Sequence, residues 1–216
     1  MNRASTAIPS PAEAWEEMRE GNGRFVAGTP RHRQDVDRRA ELVGQQTPHA
    51  ALFGCSDSRL AAEIIFDQGL GDLFVVRNAG QVISESVLGS LEYAVAVLHV
   101  PLILVLAHDE CGAVRAAIDS QAEDAPALPT HITHLIEKIV PAVRRVSGPA
   151  VSAFVDPALV DAGHVGREHL KDTVTEMLKR SEVISSAVAE GTLAIVGANY
   201  VLREGHADPN IVVGVI

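Results

Sequence analysis

Apolar residues along this chain fall into two kinds of pattern, short unbroken runs and longer stripes at helical spacing, and the two alternate. The runs lie near residues 49–54, 72–77, 101–107 and 192–198. Most are apolar on both faces and bounded by polar or turn-forming residues, as strands buried inside a parallel sheet are. Between them come the stripes. Val87, Leu88, Leu91, Ala94, Val95 and Leu98 make the first. Ile132, Leu135, Ile136, Ile139, Val140 and Val143 make the second, in which Pro141 predicts a kink. Leu170, Val174, Met177, Leu178, Ile184 and Val188 predict one long third helix. Ile211-Val212-Val213 adds a candidate edge strand. Strand alternating with helix predicts an α/β fold, its central, mostly parallel sheet flanked by helices.

Ahead of the first run, Ser10-Pro11-Ala12-Glu13 carries the signals of a helix start: a serine N-cap, proline in the first turn and glutamate three residues after the cap. The stripe Trp15, Met18, Asn22 and Phe25 follows, and Gly28 with Pro30 ends it. Residues 1–30 therefore read as an N-terminal helical arm, whose apolar side suits its own core or a neighbouring subunit equally well. Gln121 to Thr130 and Ser147 to Pro157 read as loops too short to separate domains, so residues 1–216 are expected to form a single domain.

Composition narrows the function. With 47% hydrophobic residues the chain builds a full core. A net charge of -10, from 18 basic and 28 acidic residues, disfavours a nucleic-acid partner, which needs a basic surface. The stretch from Arg31-His32-Arg33 to Arg38-Arg39 is locally basic but interrupted by Asp35 and Asp37, and reads as a solvated arm or subunit contact. The longest apolar run, around Val95 to Ala107, is broken by His99 and Pro101, so no membrane partner is expected. Met1 to Thr6 lacks the apolar stretch of a signal peptide, and the expected compartment is the cytoplasm, where thiols stay reduced.

The only two cysteines stand where two apolar runs end. Cys55 opens Cys55-Ser56-Asp57-Ser58-Arg59, and Cys111 closes His108-Asp109-Glu110-Cys111. In open α/β sheets ligands gather at the carboxyl ends of strands, so these motifs can converge although distant in sequence. Two thiolates and an imidazole suit Zn²⁺ and leave a fourth tetrahedral position, the pattern of a catalytic site. Gly112 to Ala117 begins a predicted helix behind Cys111, and a helix N-terminus favours a thiolate. Asp57 and Arg59 bracket Ser58, which in extended backbone puts their side chains on one side. Asp57 can accept a hydrogen bond from a zinc-bound water or hydroxide while Arg59 holds it; released from Arg59, it could swing onto the metal as a fourth ligand and close the site.

Together these motifs resemble those of the β-class carbonic anhydrases of bacterial type. Glu20-Gly21-Asn22-Gly23-Arg24-Phe25 is similar to that family's amino-terminal motif, and Phe74 to Gly80 to its second-strand segment. The resemblance runs from about residue 12 to about residue 203. It implies reversible hydration of CO₂ to bicarbonate and a proton, with Cys55, His108 and Cys111 binding zinc and Asp57 and Arg59 as a catalytic dyad orienting zinc-bound hydroxide. It further implies substrate-pocket roles for Gln46, Phe74, Ala79 and Gly112, and assembly as a homodimer or homotetramer. Gly112 reads equally well as a tight strand-to-helix turn. Some members bind inhibitory bicarbonate through tryptophan, arginine and tyrosine; Arg77 and Tyr200 match the last two, but Leu52 stands in the tryptophan's place. None of His99, His131, His134, His164, His169 and His206 is marked out as a proton shuttle. Two rivals remain at this point: a relative acting on CS₂ or carbonyl sulfide, and a structural or redox zinc protein.

Overall fold

A computed structural model describes residues 8–31, 36–148 and 154–216. The start of the N-terminal arm, much of the basic stretch and the middle of the second predicted loop lie outside the described residues. The elements run α1 (Pro11–Val26), α2 (Val36–Glu41), β1 (Ala50–Cys55), α3 (Ala62–Ile65), β2 (Leu73–Asn78), α4 (Glu85–Ala96), β3 (Leu102–His108) and α5 (Gly112–Asp119). Then follow α6 (Thr130–Ile136), α7 (Val140–Val146), α8 (Ala162–Arg180), α9 (Glu182–Ala189), β4 (Ala194–Tyr200) and β5 (Ala207–Val213).

The strands form one sheet in the order β2-β1-β3-β4-β5. The first four are parallel, and β5 runs antiparallel to β4 at the edge. All five predicted strands are present. Alternate side chains serve opposite faces. Leu52, Leu102, Leu104, Leu106 and Val196 pack under α1, α5, α6 and α7. Phe53, Ile103, Val105 and Ile195 pack under α4, α8 and α9. Every residue of β1 and β3 is buried, which explains why their sequences read as unbroken apolar runs. Each fully buried Leu, Ile or Val there contributes about 1.5–3 kcal/mol.

The chain leaves β1 for β2 on one side, then returns past β1 to place β3 on the other. The carboxyl ends of β1 and β3 are therefore a topological switch point, where connections diverge and open a crevice. Cys55 ends β1 and His108 ends β3.

The helices depart from expectation in two places. The predicted long third helix is two helices. Ser181, in extended backbone (φ -120°, ψ 108°), ends α8 and caps α9 through its side chain. Its hydroxyl also donates to Glu92 on α4 at 2.7 Å, which anchors the break. Pro141 does not kink one helix but lies in the first turn of α7, separate from α6, because proline has no N–H to continue a helix.

The capping box of α1 forms as read: Ser10 Oγ accepts from Glu13 N, and Glu13 accepts from Ser10 N at 2.7 Å. The apolar side of α1 packs on its own chain, with Trp15 and Met18 buried. Asn22 ties it down, donating to Ile65 O at 3.0 Å and Gly205 O at 2.9 Å and accepting from Ala207 N at 3.0 Å. Arg24 Nε meets the buried Asp67 carboxylate at 2.5 Å.

Candidate metal centre

Cys55, His108 and Cys111 are all buried, and one donor atom from each falls within 4.8 Å of the others. Two sulfurs on one tetrahedral zinc stand about 3.8 Å apart, so the cluster has the scale of a single-ion site. His108 Nδ1 donates to the carbonyl of Asp109 at 2.6 Å. That hydrogen bond commits Nδ1 and leaves Nε2 to offer a lone pair, the arrangement expected of a metal-binding histidine. His108 Nε2 is buried without a partner. A buried imidazole nitrogen clustered with two thiols fits a zinc ion, which would accept its lone pair.

The thiols point the same way. A hydrogen bond from Cys111 holds the Cys55 thiol well below its ordinary range; burial opposes it, and His108 and the Gly80 amide assist. The Cys55 sulfur, and burial with it, pushes the Cys111 thiol up. The amides of Ala113 and Val114 at the start of α5 pull it down, as a helix N-terminus should, but they are outweighed. Two sulfurs this close ionise together only with a cation between them.

Asp57 borders the cluster, its Oδ2 4.0 Å from His108 Nε2. Arg59 grips it with a fork: Nε donates to Oδ1 at 2.9 Å and Nη2 to Oδ2 at 2.7 Å. The backbone N–H of Arg59 adds a bond to Oδ1 at 2.9 Å. These donors hold the Asp57 carboxyl well below the usual carboxylate range, Arg59's side chain first. The pair meets through a turn rather than extended backbone, since Leu60 N bonds Asp57 O at 3.0 Å. Arg77 frames the turn from β2, donating to Cys55 O at 2.9 Å and Asp57 O at 2.6 Å.

A family model described as Carbonic anhydrase matches residues 50–207, which include every residue of this cluster. The chain belongs to the β-class carbonic anhydrase family. It is 48% identical over 202 residues to Carbonic anhydrase 2 of Mycobacterium tuberculosis, covering 92% of each chain. It is 45% identical to the Carbonic anhydrase of Mycolicibacterium smegmatis, covering 92% of this chain and 93% of that one. The β-carbonic anhydrase structure from Coccomyxa superposes with a TM-score of 0.66 at 25% identity, over 94% of this chain and 86% of that one. The enzyme thus hydrates CO₂, and the sulfur-substrate and non-enzymatic rivals fall away.

The remaining sequence candidates scatter. Gly112 opens α5 beside Cys111, and a Cβ there would meet nothing within 4 Å, so no tight turn requires a glycine. Ala79 follows β2 at the same end of the sheet and is exposed. Phe74 does not join this chain's cluster. It pairs with Ala51, about 13 Å down the strand from Cys55, and packs near Tyr93 on the face covered by α4. Gln46 is exposed in the loop before β1. Leu52 is core, while Arg77 and Tyr200 lie on β2 and β4, three strand spacings or about 14 Å apart. One chain does not gather them into a site.

Sequence reasoning missed the support behind Cys55. Gly80 N–H donates to Cys55 Sγ at 3.3 Å from a turn with φ 77°. The glycine itself was a legible signal; its direction was not.

Proposed function

We propose that this carbonic anhydrase holds zinc on Cys55 Sγ, His108 Nε2 and Cys111 Sγ, and that Asp57 and Arg59 form its catalytic dyad. The observation that carries this reading is that one donor atom each of buried Cys55, His108 and Cys111 falls within 4.8 Å of the others. Zinc held by these three residues would lower the pKa of a bound water and so supply a hydroxide nucleophile near neutral pH. Asp57, kept ionised by Arg59, would accept the O–H of that hydroxide and so orient a lone pair toward CO₂. While Arg59 holds both carboxylate oxygens, Asp57 is not free to turn onto the metal as a further ligand. The backbone N–H groups of Gly80 and Arg59 fix the orientation of Cys55 and Asp57.

We assign pocket roles to Gln46, Phe74, Ala79 and Gly112 in a homodimer or homotetramer. Two features support assembly. Among the described residues no strand pairs with the outer edge of β2, and its Leu73-Phe74-Val75-Val76 run carries no charge to deter pairing. Gln46 and Phe74 also lie away from their own metal cluster, so another subunit's site is where they would act. The free thiols suit a reducing compartment, and we place the enzyme in the cytoplasm.

The test is stopped-flow CO₂ hydration from about pH 6.5 to 9 on protein of measured zinc content. One zinc per chain and activity rising with pH is the expected result, with Cys55→Ala losing metal and activity together. A zinc-replete, active Cys55→Ala protein would overturn the ligand set. A monomer by light scattering at assay concentration would remove the shared pocket.

A further inference from the structure

His169 lies on α8, yet its ring reaches the turn behind Cys55. It is buried to 3% exposure, and its Nε2 is 2.7 Å from Gly80 O. A carbonyl only accepts, so Nε2 carries the proton and donates. Nδ1 is then a bare acceptor, buried without a partner. Burial pushes the imidazolium form down and keeps the ring neutral. An unsatisfied buried nitrogen is a poor choice for stability alone, because an apolar side chain would fill the space without it.

One turn along α8, Thr173 Oγ1 lies 3.3 Å from Gln81 O and 2.9 Å from His169 O, sharing its proton between them. Two donors spaced by a helical turn thus grip two successive carbonyls. The gripped turn is unusual, with Gly80 at φ 77° and Gln81 at φ 41°. Asn78 closes it from the other side, donating to Val82 O at 2.8 Å and accepting from Val82 N at 2.9 Å. The group this scaffold aims is the Gly80 N–H, 3.3 Å from Cys55 Sγ.

We propose that His169 is a positioning residue for the metal centre: by holding the Gly80 carbonyl it fixes the N–H donated to the Cys55 thiolate. The inference rests on Cys55 being a metal ligand, as assigned above. An N–H···S bond draws electron density from the sulfur and sets the direction of its remaining lone pairs, and hydrogen bonds of this kind tune metal affinity. His169 touches neither substrate nor metal; it acts through Gly80.

Cobalt(II) is the probe, because thiolate-to-cobalt charge-transfer absorption reports directly on the sulfur. His169→Phe keeps the ring volume and removes the donor. His169→Gln restores an N–H near the Nε2 position. We expect His169→Phe to move the charge-transfer band to longer wavelength and weaken zinc binding about 10–100-fold by chelator competition. His169→Gln should return both toward wild type. Thr173→Val, which keeps His169, should shift the band the same way by less, and it carries the test if His169→Phe does not fold. A variant pair with wild-type spectrum and zinc affinity, altered only in thermal stability, would overturn the proposal. A wild-type protein with no thiolate-to-cobalt band would instead overturn the ligand assignment and this inference with it.

Discussion

Gly80→Ala tests the turn behind the metal centre most directly. Gly80 sits at φ 77°, and a Cβ there would lie 2.8 Å from Ala113 Cβ and 3.0 Å from Ile139 Cδ1. An L-residue in left-handed backbone costs about 1–2 kcal/mol. Ala113 is on helix α5 and cannot swing away, so the turn must move; overpacking of this kind adds about 1–3 kcal/mol. The sum is about 2–5 kcal/mol. At about 2–4 °C per kcal/mol for a chain of this length, the melting temperature should fall by about 4–20 °C. Moving the turn also moves the Gly80 N–H away from Cys55 Sγ, so zinc affinity should fall alongside stability. Gly23→Ala is the control. It lies inside α1, and its Cβ would meet nothing within 4 Å; here alanine should stabilise by about 0.5–1 kcal/mol. Circular-dichroism melts with chelator titration read both effects. A Gly80→Ala protein melting at or above wild type with unchanged zinc affinity would refute the reasoning.

Asp57→Asn should keep zinc but lower the rate of CO₂ hydration by about 10²-fold or more; a rate within threefold of wild type in stopped flow would sink the dyad. Arg24→Met leaves the buried Asp67 carboxylate without its guanidinium and should cost about 3–5 kcal/mol in urea unfolding. A loss under about 1 kcal/mol, the worth of a surface pair, would show that burial of the pair is not what matters. Asp161 caps α8 by accepting from His164 N at 3.0 Å, and that bond depresses its carboxyl pKa. A depressed folded pKa means stability present above the unfolded value, about 3.9, and lost as pH falls through the folded one. Asp161→Ala should therefore cost about 0.5–2 kcal/mol at neutral pH, with the gap to wild type shrinking in acid; a gap independent of pH would count against the cap.

The Cys55, His108 and Cys111 cluster was legible because its signals are local. Cys55, His108 and Cys111 each follow an apolar run whose type can be read from neighbouring residues, and strand ends in an α/β sheet face one way. The α1 cap was legible for the same reason, since a capping box spans only four positions. The convergence of β1 and β3 needed the strand order, which places them side by side although β2 lies between them in the chain.

Other features have no local signature. The apolar stripe of α1 is compatible with either partner, and only the packed structure turns Trp15 and Met18 onto their own core. Leu170 to Val188 keeps helical spacing across Ser181, so nothing in the periodicity announces the break that Glu92 anchors. His169 is 89 residues from Gly80 in sequence, and as a lone histidine in a helix it reads as packing. Periodicity reports which face of an element is buried. It does not report which buried atom meets which, and in this enzyme the support behind Cys55 is decided at that level.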